Sequence, residues 1–376
     1  MSPVSTALTR EQTDLRQTVT DLMAKRSPQN EVRRLMAADG GYDPAVWAEL
    51  AALGLLGLII PEEFGGSDAG AAELAVVSEQ MGRALLCAPY LSAAVLTPYL
   101  LLGIADAAEC AEALPRIAAG ELRATVAFAE SGSVRPPQHP GTTAVHTANG
   151  WSLTGEKTFV LDGVGAGRYY IHAESESDSG VGIFAVDPGA AGLAVSALNT
   201  VDQTRRQARI TLADTPARLI GAAGAGAIAL DTALDRAAVA LVAEQAGGTM
   251  QCVQMSTDYA RTRYQFGRAI GSFQAIKHLC VDMLLEAESA CSAARHVAAA
   301  FDAGEPDRLT DLALAQAFCS DAFCSVAAAT IQVHGGIGFT WEHPAHLYLR
   351  RARTDAQIFG DPAWHRERYV RIREES

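Results

Sequence analysis

Arg261-Thr262-Arg263-Tyr264-Gln265-Phe266-Gly267-Arg268-Ala269-Ile270-Gly271-Ser272-Phe273-Gln274-Ala275-Ile276-Lys277-His278 sets arginines, aromatic rings, glycines and a glutamine in an order that packing alone rarely produces. A guanidinium is a planar fork of donors that matches phosphate oxygens and never loses its charge, so Arg263 has the chemistry of a phosphate clamp. Gln274 carries both a donor and an acceptor, as the edge of a heteroaromatic base requires, and Phe266 supplies a flat apolar face beside it. The plainer alternative is a solvated helix end, in which Arg261, Arg263 and Arg268 answer the helix dipole and Gly267 stops the helix.

Further along, Ile331-Gln332-Val333-His334-Gly335-Gly336-Ile337-Gly338-Phe339 places glycines after a helical run, where backbone amides can come close to a phosphate. Gln332, Gly335 and Gly336 are the candidate binding residues there, and His334 reads as packing.

Around these segments, 376 residues with 49% hydrophobic content supply more than one core, and two or three domains are expected. A formal charge of -13 opposes nonspecific binding to nucleic acid or to an anionic membrane face. The 7 cysteines form no CxxC pair, which fits a reducing cytoplasm and gives no metal site. Residues 1–25 lack the uninterrupted apolar core of a signal peptide. Residues 84–105 approach membrane-spanning length, but Pro89 and Pro98 break them, so buried helices are expected.

Element types follow an α, β, α order, giving an α+β fold. An N-terminal α-helical domain covers 1–122, opened by Thr9-Arg10-Glu11-Gln12 and continued by helical spacing over residues 44–55. A middle β domain covers 123–225, with short apolar runs at 124–129, 151–153, 158–161, 169–172, 182–186 and 208–212. A C-terminal α-helical domain covers 226–376, with helices running to residue 260, then over 273–303 and 308–333.

The 261–278 and 331–339 segments, the turn Ile59-Ile60-Pro61-Glu62-Glu63-Phe64-Gly65-Gly66 and the run Gly155-Glu156-Lys157-Thr158-Phe159-Val160-Leu161-Asp162-Gly163 resemble the acyl-CoA dehydrogenase family along essentially the whole chain. The resemblance implies that family's fold, α,β-desaturation of an acyl-CoA thioester, FAD as cofactor and an electron-transfer flavoprotein as acceptor. It also implies that Arg263, Phe266, Gln274, Gln332, Gly335 and Gly336 reach the adenine and pyrophosphate end of a neighbouring subunit's FAD.

Other family positions are altered. In the family a glutamate near the C-terminus removes the α-proton; in Gln357-Ile358-Phe359-Gly360-Asp361-Pro362 the matching position is Gly360. Asp361 is a fallback base, although Asp followed by Pro is also an ordinary helix N-cap with proline at N1. Glu244 and Asp235 are further fallbacks near the family's second base location, where ungapped counting places Ala238. In Val126-Ala127-Phe128-Ala129-Glu130 an alanine replaces the usual threonine, Phe159 replaces a tryptophan, and Leu161 replaces a hydroxyl residue and has no donor to offer. Pro136-Pro137 stiffens residues 131–140, where the family has small residues that accommodate CoA.

The losses fall on a subunit's own flavin-ring half, whereas the segments facing a neighbour are kept. The leading expectation is the noncatalytic subunit of an actinobacterial, steroid-type α2β2 acyl-CoA dehydrogenase, paired with a homologous catalytic subunit and located in the cytoplasm. The alternatives are a self-sufficient homotetramer with an unusual Asp or Glu base, and a structural or CoA-binding relative without redox work.

Overall fold

The computed structural model describes residues 7–148, 150–176 and 180–375; the first six residues of the stretch read against a signal peptide lie outside it. The chain divides into two compact units, each drawn from separate stretches of sequence. One, largely helical, comprises Met1–Arg34, Ala71–Leu86 and Ala238–Ser376; the other, built on a sheet, comprises Leu35–Gly70 and Cys87–Ala237.

The helical unit contains α1 (Arg10–Arg26) and α4 (Ala71–Arg83), and α2 (Gln29–Ala37) begins in it. It also holds the later part of α7 (Gly226–Thr262), together with α8 (Gln274–Asp302), α9 (Arg308–His334), α10 (Ala345–Asp355) and α11 (Pro362–Glu375). Helix α1 starts at Thr9, whose hydroxyl accepts from Gln12 N at 3.1 Å while Gln12 Oε1 accepts from Thr9 N at 3.0 Å. Two otherwise orphaned N-terminal amides are thereby satisfied.

Helices α7 and α9 run side by side in the same direction. Gln245 Nε2 donates to Ser320 Oγ at 2.9 Å, Ser256 Oγ lies 3.2 Å from Thr330 Oγ1, and the Tyr259 and His334 rings sit 4.4 Å apart. These contacts recur at a nearly constant sequence offset, so the C-terminal ends of both helices emerge together. Arg308–Phe339 is long and apolar enough to cross a membrane by length and composition, but 61% of its most apolar window is buried, as in the core helix of a globular unit.

The sheet unit contains α3 (Pro44–Ala52), α5 (Thr97–Ile104), α6 (Ala107–Ala118) and seven strands. These strands are β1 (Ala124–Ala127), β2 (Thr143–Thr147), β3 (Gly150–Leu161), β4 (Arg168–Ser175), β5 (Gly180–Val186), β6 (Leu193–Ala197) and β7 (Gln207–Ile220). Residues 84–105 are resolved into a π-helical turn, Tyr90–Leu96, running into α5, and nearly every side chain there is buried.

Strand order is β1-β4-β2-β3-β7-β5, with β6 on β7, and a further β4–β5 pairing closes the path on itself. Closure leaves only β1 and β6 with a single neighbour each. The interior is filled by Ala144, Leu153, Val160, Tyr169, Ile171, Phe184, Ile210 and Leu212, contributed by β2, β3, β4, β5 and β7. The apolar runs at 151–153 and 158–161 belong to one strand, β3, which carries register shifts at Leu153/Gly155 and Lys157/Val160.

Candidate functional site

At the C-terminal end of α7 the chain forms a hairpin of β8 (Tyr264–Gln265) and β9 (Arg268–Ala269). Its two turn residues, Phe266 at φ +52° and Gly267 at φ +80°, are both in the left-handed region, as a type I′ turn requires. Gly267 therefore serves the hairpin, which corrects its reading as a helix stop. Arg263 closes the base, with its N–H donating to Tyr259 O at 2.8 Å and its carbonyl accepting from Ile270 N at 2.8 Å.

Arg263 and Gln274 are exposed, and Phe266 is 92% exposed, which is costly for a large apolar ring with no use outside its own chain. Gln332, in the last turn of α9, and Gly335 and Gly336, immediately after it, are likewise exposed at the same end of the unit. A Cβ added at Gly335 or Gly336 would meet nothing within 4 Å, and Gly336 has no positive φ. Packing among the described residues therefore does not require glycine at 336.

His334 is 5% exposed, lies 2.7 Å from Thr330 O through Nδ1 and stacks on Tyr259 and His343; burial holds its imidazole below the usual range. Those are the marks of packing. Among the described residues no His, Cys, Asp and Glu group has the arrangement of a metal site.

The positions considered for a base are differently placed. Gly360 sits at φ +116°, and a Cβ there would lie 2.8 Å from Trp364 Cε3. Asp361 Oδ1 accepts from Trp364 N at 2.8 Å, as the cap of α11. Glu244 is paired with Arg351, whose side chain is only 3% exposed. Asp235 is half-buried on α7 in the sheet unit, and Ala238 is buried.

In the sheet unit, Ala127 and Ala129 are buried and Leu161 is 6% exposed, none of them offering a hydrogen-bond donor from its side chain. Phe159 takes φ +53° and stands 42% exposed. The carboxylate of Glu130 accepts from Gly141 N at 2.7 Å, Thr142 N at 3.0 Å and Lys157 Nζ at 2.6 Å, so it closes the base of the loop 131–140. Within that loop Arg135 pairs with Asp231 at 3.5 Å. Sequence reading missed both contacts, since each joins residues 27 or more apart and no local pattern marks the pairing.

A helical unit with Arg263, Phe266, Gln274 and Gln332 exposed, together with a closed-path β unit, is the helix–sheet–helix arrangement expected from the resemblance. The chain belongs to the acyl-CoA dehydrogenase family: the family's N-terminal domain matches residues 9–121 and its C-terminal domain residues 224–372. Over 350 residues it is 34% identical to acyl-CoA dehydrogenase IpdE2 of Mycobacterium tuberculosis, covering 93% of this chain and 92% of that protein. The ChsE4-ChsE5 complex from Mycobacterium tuberculosis superposes with a TM-score of 0.88 at 27% identity, covering 99% of both chains. The Tcur3481-Tcur3483 steroid ACAD, solved as a G363A variant, gives a TM-score of 0.85 at 30% identity, covering 97% of this chain and 98% of that one. Steroid-type acyl-CoA dehydrogenases of actinobacteria are thus among its relatives.

Proposed function

We propose that this chain is the noncatalytic subunit of a cytoplasmic α2β2 acyl-CoA dehydrogenase. In this reading it offers Arg263, Phe266, Gln274, Gln332, Gly335 and Gly336 to the adenine and pyrophosphate end of FAD held by a homologous catalytic subunit. FAD supplies the hydride acceptor for desaturation of the acyl-CoA, and an electron-transfer flavoprotein takes the electrons onward. The similarity to the Tcur3481-Tcur3483 steroid ACAD favours a steroid-derived thioester as substrate.

The residues fit the dinucleotide's tail and not its ring. Arg263 has, among the described residues, no ion pair or hydrogen bond to its guanidinium, and so is available to phosphate oxygens. Among the described residues, Gly335 and Gly336 leave open backbone in the same unit. The ring-side positions Ala127 and Leu161 have no side-chain donors, and Gly360 supplies no carboxylate. The observation that carries the reading is Gly336, a glycine that the fold of this chain does not need.

Co-expression with a homologous acyl-CoA dehydrogenase subunit encoded beside it is expected to give a yellow complex with stoichiometric FAD, and the chain expressed alone a colourless protein. Arg263→Ala is expected to weaken FAD retention by about tenfold or more, through loss of charge-assisted hydrogen bonds. Gly336→Ala is expected to leave the unfolding midpoint unchanged while lowering flavin content. Turnover of an acyl-CoA by the chain alone would overturn the reading.

A further inference from the structure

The arginines of the hairpin region are employed differently. Arg261 Nη1 lies 3.6 Å from Asp258 Oδ1, an exposed pair one turn back on α7. Arg268 lays its guanidinium carbon 3.9 Å from the centroid of the Phe273 ring. Arg263 alone of the set is left without a side-chain partner among the described residues.

Phe273 is the residue from which α8 starts. It is held extended at φ -82°, ψ 134°, its N–H donates to Ile270 O at 3.1 Å and its carbonyl accepts from Lys277 N at 3.1 Å. Its backbone is therefore fixed relative to the helix. The same ring meets the edge of Phe266 with centroids 6.2 Å apart and planes at 85°.

A hairpin with two residues per strand is marginal in water, and a bulky residue in the left-handed region adds strain to its turn. Something outside the hairpin must hold it, and the described contacts to its tip come from Phe273, through a cation–π contact to Arg268 and an edge-to-face contact to Phe266.

We infer that Phe273 is a positioning residue. Its ring braces the hairpin through Arg268 and Phe266, so that Arg263 is the cation offered to the dinucleotide phosphates and Phe266 stands ready beside the base. The inference rests on the proposed trans contact with FAD and adds which residues make that contact rigid.

The test measures two independent quantities on the full chain and its complex. Hydrogen exchange of the Ile270 amide, which donates to Arg263 O, reports the hairpin in the chain alone. Flavin fluorescence titration of the complex reports the FAD Kd. Phe273→Ala is expected to speed Ile270 exchange by about tenfold and weaken FAD by about tenfold, with Phe273→Tyr restoring both. Arg268→Ala combined with Phe273→Ala is expected to be no worse than Phe273→Ala, because Phe273→Ala already removes the contact to Arg268. Unchanged exchange in Phe273→Ala overturns the brace. Faster exchange with an unchanged Kd, while Arg263→Ala still weakens FAD, overturns the positioning role. If neither Arg263→Ala nor Phe273→Ala alters the Kd, the trans contact itself is wrong, and the inference goes with it.

Discussion

The Trp364 ring occupies the side-chain space of Gly360: a Cβ on Gly360 would lie 2.8 Å from Trp364 Cε3, with His365 Nε2 at 3.2 Å. Both neighbours belong to α11 and cannot withdraw without disturbing its first turn. Under the proposed reading, in which Gly360 stands where the family has its base, that position is closed by this chain's own packing as well as lacking a carboxylate. Gly360→Glu is expected to leave acyl-CoA turnover by the singly expressed chain at zero. Gly360→Ala alone is expected to cost about 1–3 kcal/mol in urea unfolding, from the φ of +116° and the forced contact.

Asp361 gives a contrasting expectation, because its Oδ1 accepts from Trp364 N at 2.8 Å and Pro362 opens α11 behind it. Asn caps a helix as well as Asp does, so Asp361→Asn is expected to keep both stability and the turnover of the complex. Asp361→Ala is expected to lose about 1 kcal/mol. Collapse of turnover in Asp361→Asn at full stability would make Asp361 the base.

Lys157, fully buried, meets Glu130 at 2.6 Å. Burial alone would raise the Glu130 carboxyl, but the Lys157 ammonium and the donors of Gly141 and Thr142 outweigh it and hold the group at about 2. The folded value lies below the ordinary 4.5, so this contribution is present above pH 4.5 and is lost as pH falls from there through 2. Lys157→Met is expected to cost about 3–5 kcal/mol by leaving a largely buried carboxylate without its cation. Glu130→Gln in the same chain is expected to recover part of that, since the side chain is then uncharged and its one amide oxygen, in the place of Oε1, still accepts from Thr142, although Gly141 N loses its acceptor. Urea midpoints of the single and double variants at pH 7 decide the matter.

His343 should make the helical unit sensitive to mild acid. Burial, followed by His334, His346 and Arg33, pushes its imidazole down from 6.5 to about 4. A depressed histidine contributes its full stability above pH 6.5 and loses it as pH falls from 6.5 through 4. The denaturant midpoint is expected to drop between pH 7 and pH 4.5, and His343→Gln to flatten part of that drop. An identical pH profile in the variant would remove His343 from the account.

Some features were legible because their causes are local. Thr9 and Gln12 announce a capping box, Asp361-Pro362 a helix start, and the run 169–172 a strand that is buried throughout. Strands β2 and β6 went unnoticed because most of their residues are exposed or half-buried, leaving little apolar alternation to read. The hairpin at 264–269 was missed because strands of two residues fall below any periodicity, and a glycine after an arginine-rich helix end looks the same in a hairpin as in a helix stop.

The sequence by itself determined the family and the order of helical and sheet segments, and it singled out the residues proposed to face a dinucleotide, because these readings depend on side-chain chemistry and spacing within a few turns of chain. Only the tertiary structure decided which of Arg261, Arg263 and Arg268 has no side-chain partner among the described residues, that Glu244 is taken by Arg351, that Glu130 is held by Lys157, and that no described residue comes within 4 Å of a Cβ at Gly336. Ion pairs, ring contacts and open space at one position are set by residues as far as 107 apart in sequence, and the path that brings those residues together, or keeps them away, is a property of the whole fold.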